Sequence, residues 1–199
     1  MFDSGITAKE LITAIQNEAD IALDIPDENY IQWLNSLEQL LYSEVIKEQK
    51  AFTHTLPDIL PITLDEINVS EGEAPLRYED LHAIYVDNTQ LIQSTVASGD
   101  IFPNTYYKDD NKLAFNVPYP KKVKGVYFVR PLLKTLENID TAHVMIPIEF
   151  IELAKAKLRG EAYKLVNEDN LAAKYLNDYN VLLETFKLWI SEKASKFGL

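Results

Sequence analysis

The chain has 199 residues, 47% apolar and 25% charged, the make-up of a globular protein long enough to bury a core without staples. It has no cysteine, which excludes a disulfide framework, a thiol nucleophile, iron–sulfur clusters and Cys-based zinc sites, and which fits a reducing compartment. Net charge is −12, and the excess lies in residues 1–80, with 17 acids and 4 bases, against 14 acids and 15 bases in residues 81–199. An acidic half repels phosphates and argues against tight wrapping of nucleic acid. It reads either as solubilising surface or as an electronegative face for a basic partner or for DNA that slides past. The N-terminal MFDSGITAKEL lacks the apolar run of a signal peptide, and no stretch approaches the ~18 apolar residues of a membrane span. A soluble protein made inside the cell is expected, with no membrane partner.

Thr7 and Glu10 form a capping-box pattern ahead of Leu11, Ile12, Ile15, Ala19 and Leu23 at helical spacing. Pro26 ends that helix. Asp27 and Glu28 favour the start of a second one, whose apolar face is Tyr30, Leu34, Leu37, Leu41 and Val45 and which is expected to run to about Glu48. The pattern changes at Ala51. AFTHTL alternates as a strand does, Pro57 and Pro61 punctuate the chain, and SEGEAP (70–75) is a polar loop. LHAIYV and TQLIQ flank Asp87-Asn88, a two-residue hairpin turn, and FPNTYY and KLAFNV flank KDDN (108–111), a second hairpin. VKGVYFV (123–129) is a further strand and HVMIP (143–147) a short one. Pro147 suits a helix's first turn, followed by a face of Phe150, Ile151, Ala154, Leu158, Ala162 and Leu165. Asn167 or Asp169 is placed to cap a last helix striped by Ala172, Tyr175, Tyr179, Leu182, Phe186 and Trp189.

The expected fold is therefore α+β: a helical layer from residues 1–50 and 146–199, with a mostly antiparallel β sub-domain, a small sandwich or barrel, inserted at 51–145. Patterns that carry chemistry are missing. His54, His82 and His143 stand apart without metal-ligand spacing. KDDN lacks the Gly and Glu of a calcium loop, and the six glycines form neither a phosphate loop nor a dinucleotide fingerprint. Asp65-Glu66 and Glu79-Asp80 read as exposed loop acids. No catalytic residue, cofactor or metal is expected, and the chain does not read as an enzyme.

Two features point to contacts. Lys121, Lys122, Lys124, Arg130 and Lys134 lie within 14 residues free of acids, interleaved with Tyr119, Tyr127 and Phe128. They make a solvated strand face, a contact for the acidic N-terminal region of a neighbouring copy, or a nucleic-acid patch. Phe197 and Leu199 extend past the last periodic stripe, as a frayed end or as a plug for a partner's groove.

The block IPIEFIELAKAKLRGEAYKL…NLAAKYLNDYNVLLETF, with Ile31–Ile46, YVDNTQLI, VYFVRPL and HVMIP before it, resembles the head–tail adaptor (connector or ring) proteins of tailed bacteriophages. In these an N-terminal helical pair precedes a strand-rich region, and a short strand ending in Ile-Pro leads into two antiparallel closing helices. The resemblance implies a virion structural protein at the head–tail interface. Such proteins form a homo-oligomeric ring, commonly of twelve copies, between the portal protein and the tail or further ring proteins, with double-stranded DNA passing through the channel without sequence-specific binding. It also implies that the C-terminal segment reaches into the portal or a neighbouring subunit. Other readings stay open at this level: another tail or collar subunit, a ligand-binding β module using Tyr85, Tyr106, Tyr107 and Tyr119, and an enzyme.

Overall fold

The structure, a computed structural model, describes residues 2–18, 25–55, 62–64, 67–70, 72–94, 104–109, 112–116 and 122–197, and the side chains at 54, 55, 109, 116 and 194–197 stand outside that description. The fold is α+β, and the chain divides into two compact units, Met1–Ile46 with Leu133–Leu199, and Lys47–Leu132.

The helical unit begins with α1 (Ala8–Glu18). Its N-terminus is capped as the Thr7/Glu10 spacing predicts. The Thr7 N–H donates to Glu10 Oε2 at 2.8 Å, and the Glu10 N–H donates to Thr7 Oγ1 at 3.2 Å. Two further amides of this end, Ala8 and Lys9, bond the carbonyls of Ala142 (2.9 Å) and Ile139 (3.1 Å). The helix buries Leu11, Ile12 and Ile15; Ala19 and Leu23 of the expected stripe lie outside the described residues. α2 (Asp27–Leu40) follows Pro26, buries Tyr30, Ile31, Leu34 and Leu37, and continues as a π-helical turn, Leu41–Ile46. Lys47, with φ +48°, turns the chain out of the helix before the expected end at Glu48.

Pro147 precedes a 3-10 turn, Ile148–Phe150, and α3 (Ile151–Leu165). α3 ends in a left-handed Asn167 (φ +61°), with the Glu168 N–H on the Tyr163 carbonyl (2.9 Å) and the Asn167 N–H on that of Lys164 (3.2 Å). Asn167 thus closes α3, and α4 (Asp169–Phe197) starts two residues on. At 1.5 Å per residue α4 is roughly 40 Å long. The two helices form an antiparallel hairpin. Phe150 at the start of α3 packs on Phe186 (4.9 Å between ring centres) and Trp189 (5.2 Å) late in α4, while Tyr163 stacks on Tyr175 (5.4 Å) at the other end. Gly160 permits the approach between them, since a Cβ there would stand 2.7 Å from Leu176 Cδ2. The α4 stripe packs as expected, with Ala172, Tyr179 and Phe186 buried. On α3 the expected Leu165 is exposed, and Tyr163 is buried instead.

Residues 133–145, expected with the β insertion, belong to the helical unit. HVMIP is not a ladder strand. Val144 exchanges backbone bonds with the N-terminal segment, accepting from Ser4 (3.1 Å) and donating to Ile6 (2.8 Å), and His143 bridges Thr7. An extended run paired with the first residues of the chain must fold with them.

Among the described residues the β unit holds two four-stranded sheets. One is ordered β1–β8–β3–β4, from β1 (Gln49–Thr55), β3 (Leu81–Val86), β4 (Thr89–Gln90) and β8 (Lys122–Phe128), all antiparallel. The other is ordered β2–β7–β6–β5, from β2 (Ile62–Thr63), β5 (Ile92–Gln93), β6 (Thr105–Asp109) and β7 (Lys112–Asn116), with β5 and β6 parallel. Asp87 (φ +47°) and Asn88 (φ +71°) make the predicted two-residue turn, the conformation that matches the twist of paired strands. The expected single strand TQLIQ is split at buried Leu91. β4 pairs in the first sheet and β5 in the second, so Leu91 is the corner between them. Gly125 in the middle of β8 lies under the Phe52 ring, where a Cβ would come within 2.1 Å of Cε1.

Candidate functional site

The helical unit carries an open groove of about 440 Å³ between α2 and the segment after Leu132. On α2 its wall is the stripe Glu28, Gln32, Asn35 and Gln39, spaced three or four apart, above buried Leu34 and Leu37. Across it stand Leu133 and Leu136, 46% and 53% exposed. Their position follows from a clamp beneath them. The Asn35 side chain holds both backbone groups of Lys134, accepting from its N–H and donating to its carbonyl, each at 2.9 Å. The Lys134 ammonium turns inward, 2% exposed, to pair with Glu38, which also accepts the Met145 N–H at 2.7 Å. With Lys134 drawn in, its neighbours Leu133 and Thr135 point out. Burial pushes the Glu38 carboxyl above its ordinary range and holds the Lys134 amine below its own, each shift opposed by the partner's charge.

Of the expected five-base cluster, two members are engaged within the fold. Lys134 is a buried member of the helical unit. Arg130 is held by Asp80 (Nε to Oδ1, 2.6 Å) and the Pro75 carbonyl (2.8 Å). Lys121 and Tyr119 lie outside the described residues. Lys122 and Lys124 remain, both exposed on one face of β8, alternating with buried Val123 and Gly125. Neither has a carboxylate within ion-pairing distance among the described residues. Of the interleaved aromatics, Tyr127 is buried and donates to Glu73 (3.2 Å), whose carboxylate also pairs with Lys50. Burial, then the Glu73 charge, push the Tyr127 hydroxyl up to about 12.

Several acids of the N-terminal segment are engaged inside the helical unit. Asp3 meets His143 (3.0 Å), Glu10 caps α1, and Glu18 pairs with Lys155 (3.2 Å) and Arg159. Asp27 pairs with Lys9 (2.6 Å) and Glu38 with Lys134. Glu28 and Glu44 stay exposed with no ion pair among the described residues. Asp80, expected as a loop acid, is buried against Arg130, while Asp65 and Glu66 lie outside the described residues. His82 packs edge-on against Phe128 (5.1 Å), and the described residues hold no acid or histidine cluster suited to a metal. Tyr106, a candidate ligand platform, is buried against Tyr78 (6.1 Å). Phe197 ends α4 with its side chain outside the description, and Leu199 lies wholly outside it.

A second, smaller groove of about 360 Å³ runs between α3 and α4, lined by Glu152, Arg159, Tyr175, Asp178 and Val181. Val181 and, further along α4, Leu188 are more than 60% exposed. The Arg159 guanidinium lies 5.6 Å from the Tyr175 ring centre.

Sequence reasoning missed the Glu38–Lys134 pair, although one signal was present. Glu38 falls four residues after Leu34 and three before Leu41, which puts a carboxylate on the apolar stripe of α2. A charge in that position needs a buried partner. No membrane-crossing helix is found among the described residues. No protein-family model and no curated protein matches the chain.

Proposed function

We propose that the protein is a virion structural subunit, a head–tail adaptor that assembles into a closed ring between portal and tail and extends the DNA channel. The observation that carries this reading is the order of elements on the chain. A helical unit is built from both terminal segments, a two-sheet β unit is spliced into it, and a helical hairpin entered through Ile146-Pro147 closes it, in the order of the adaptor proteins that the sequence resembles. Apolar side chains left on the surface of the helical unit, Leu133, Leu136, Val181 and Leu188, add support, because a subunit that lives in a ring keeps such faces for its neighbours. Exposed Glu44 contributes to a negative surface along which duplex DNA moves without stable phosphate contacts.

The test is negative-stain electron microscopy of the purified protein alone and mixed with a portal. Closed rings that stack on the portal are expected. Persistent monomers under both conditions overturn the reading.

A further inference from the structure

We infer that the groove on α2 receives the exposed β8 face of a second copy of this chain, with Lys122 and Lys124 meeting Glu28 and Glu137. The inference rests on the ring reading and supplies one of its contacts.

The two surfaces complement each other in charge, polarity and length. On β8, strand periodicity sends Lys122, Lys124, Val126 and Phe128 to one face, the lysines exposed and the two apolar residues half-buried. The face is basic at one end and apolar at the other, over roughly 20 Å at the rise of a strand. On the helical unit, the groove wall from Glu28 to Gln39 extends roughly 16 Å at the rise of a helix. Ile31, Leu133 and Leu136 form its apolar part. Glu28 supplies negative charge from within the groove, and exposed Glu137 follows Leu136 in the chain. Neither acid has an ion pair among the described residues, and neither do the two lysines. Among the described acids of the helical unit's first segment, Glu18, Asp27 and Glu38 are already paired with cations within it, which leaves Glu28 among those able to face a partner. A β face of one copy on a helical groove of the next is a head-to-tail contact, the type that closes into rings. Its ionic component weakens as salt rises.

The test uses the full chain and two charge reversals, Lys122→Glu with Lys124→Glu, and Glu28→Lys with Glu137→Lys. In sedimentation velocity each double variant is expected to weaken self-association about tenfold, from two exposed charge pairs lost and made repulsive, with an unchanged circular dichroism spectrum. An equimolar mixture of the two is expected to recover association. In the cysteine-free background, Lys124→Cys with Glu28→Cys is expected to give disulfide-linked multimers on mild oxidation. Multimers of wild-type strength from both reversed variants, or failure of the mixture to recover, overturn this contact and leave the ring reading standing. An unaltered chain that stays monomeric at every concentration overturns both.

Discussion

Replacing Lys134 with Met removes an ammonium from the interior and keeps most of its volume. In the native protein the Glu38 and Lys134 side chains are each 1% exposed, and Glu38 also accepts from the Met145 amide. The variant strands a carboxylate among Leu34, Leu37 and Leu41, and breaking a buried pair from one side costs about 3–5 kcal/mol. That is a large part of the 5–15 kcal/mol typical of a domain. The cost has a definite pH dependence. Burial already raises the Glu38 carboxyl, and without the ammonium the chief opposing influence is gone, so it rises further. A carboxyl whose folded value is raised favours the fold while protonated, and that contribution fades as pH climbs through the folded value. Urea unfolding of Lys134→Met should therefore show its largest deficit near pH 8 and a smaller one near pH 5. Pairing it with Glu38→Gln, which keeps an acceptor for the Met145 N–H, should restore most of the stability at pH 8. A deficit below about 1 kcal/mol that does not change with pH would refute the reasoning, since it would mean that water reaches the Glu38 carboxylate.

Gly125→Val should destabilise the β unit by about 1–3 kcal/mol, because the new side chain must displace the Phe52 ring; denaturant titration of the near-ultraviolet signal checks this. Tyr179→Ala empties a buried site on α4, where the Lys157 ammonium lies 5.2 Å from the ring centre, and should cost about 2–5 kcal/mol in thermal or chemical unfolding. Deleting residues 197–199 should leave the unfolding midpoint unchanged and reduce ring yield on the portal in electron microscopy. Undiminished rings from the truncated chain would remove the plug role from that segment.

The helices were legible because each carries a stripe of period 3.6 between punctuating residues: Thr7 and Glu10 in front of α1, Pro26 before α2, Pro147 before α3. Asn167 was legible as a candidate cap for the last helix, but not as the left-handed residue that closes α3. The β unit was legible as strands and turns and illegible as sheets. Nothing local marks Leu91 as the corner where the chain changes sheet, because TQLIQ holds no Gly, Pro or Asn to break the strand. The basic cluster shows the limit most clearly. Proximity in sequence joined five cations, while strand alternation, the Asp80 pair and the Asn35 clamp give the four described ones different surroundings. Whether Lys134 faces solvent depends on Glu38, a residue 96 positions away.

The Asn35–Lys134 clamp joins residues 99 positions apart in the chain. On a ribosome adding ~5–20 residues per second, α2 emerges several seconds before the segment that covers it. Until then Leu34, Leu37 and Leu41 have no cover from α3 or α4, while every strand between is already available to pair. The β insertion can thus complete itself during synthesis, and the helical half cannot. Nascent copies on neighbouring ribosomes are consequently at their stickiest when the helical half is still unfinished.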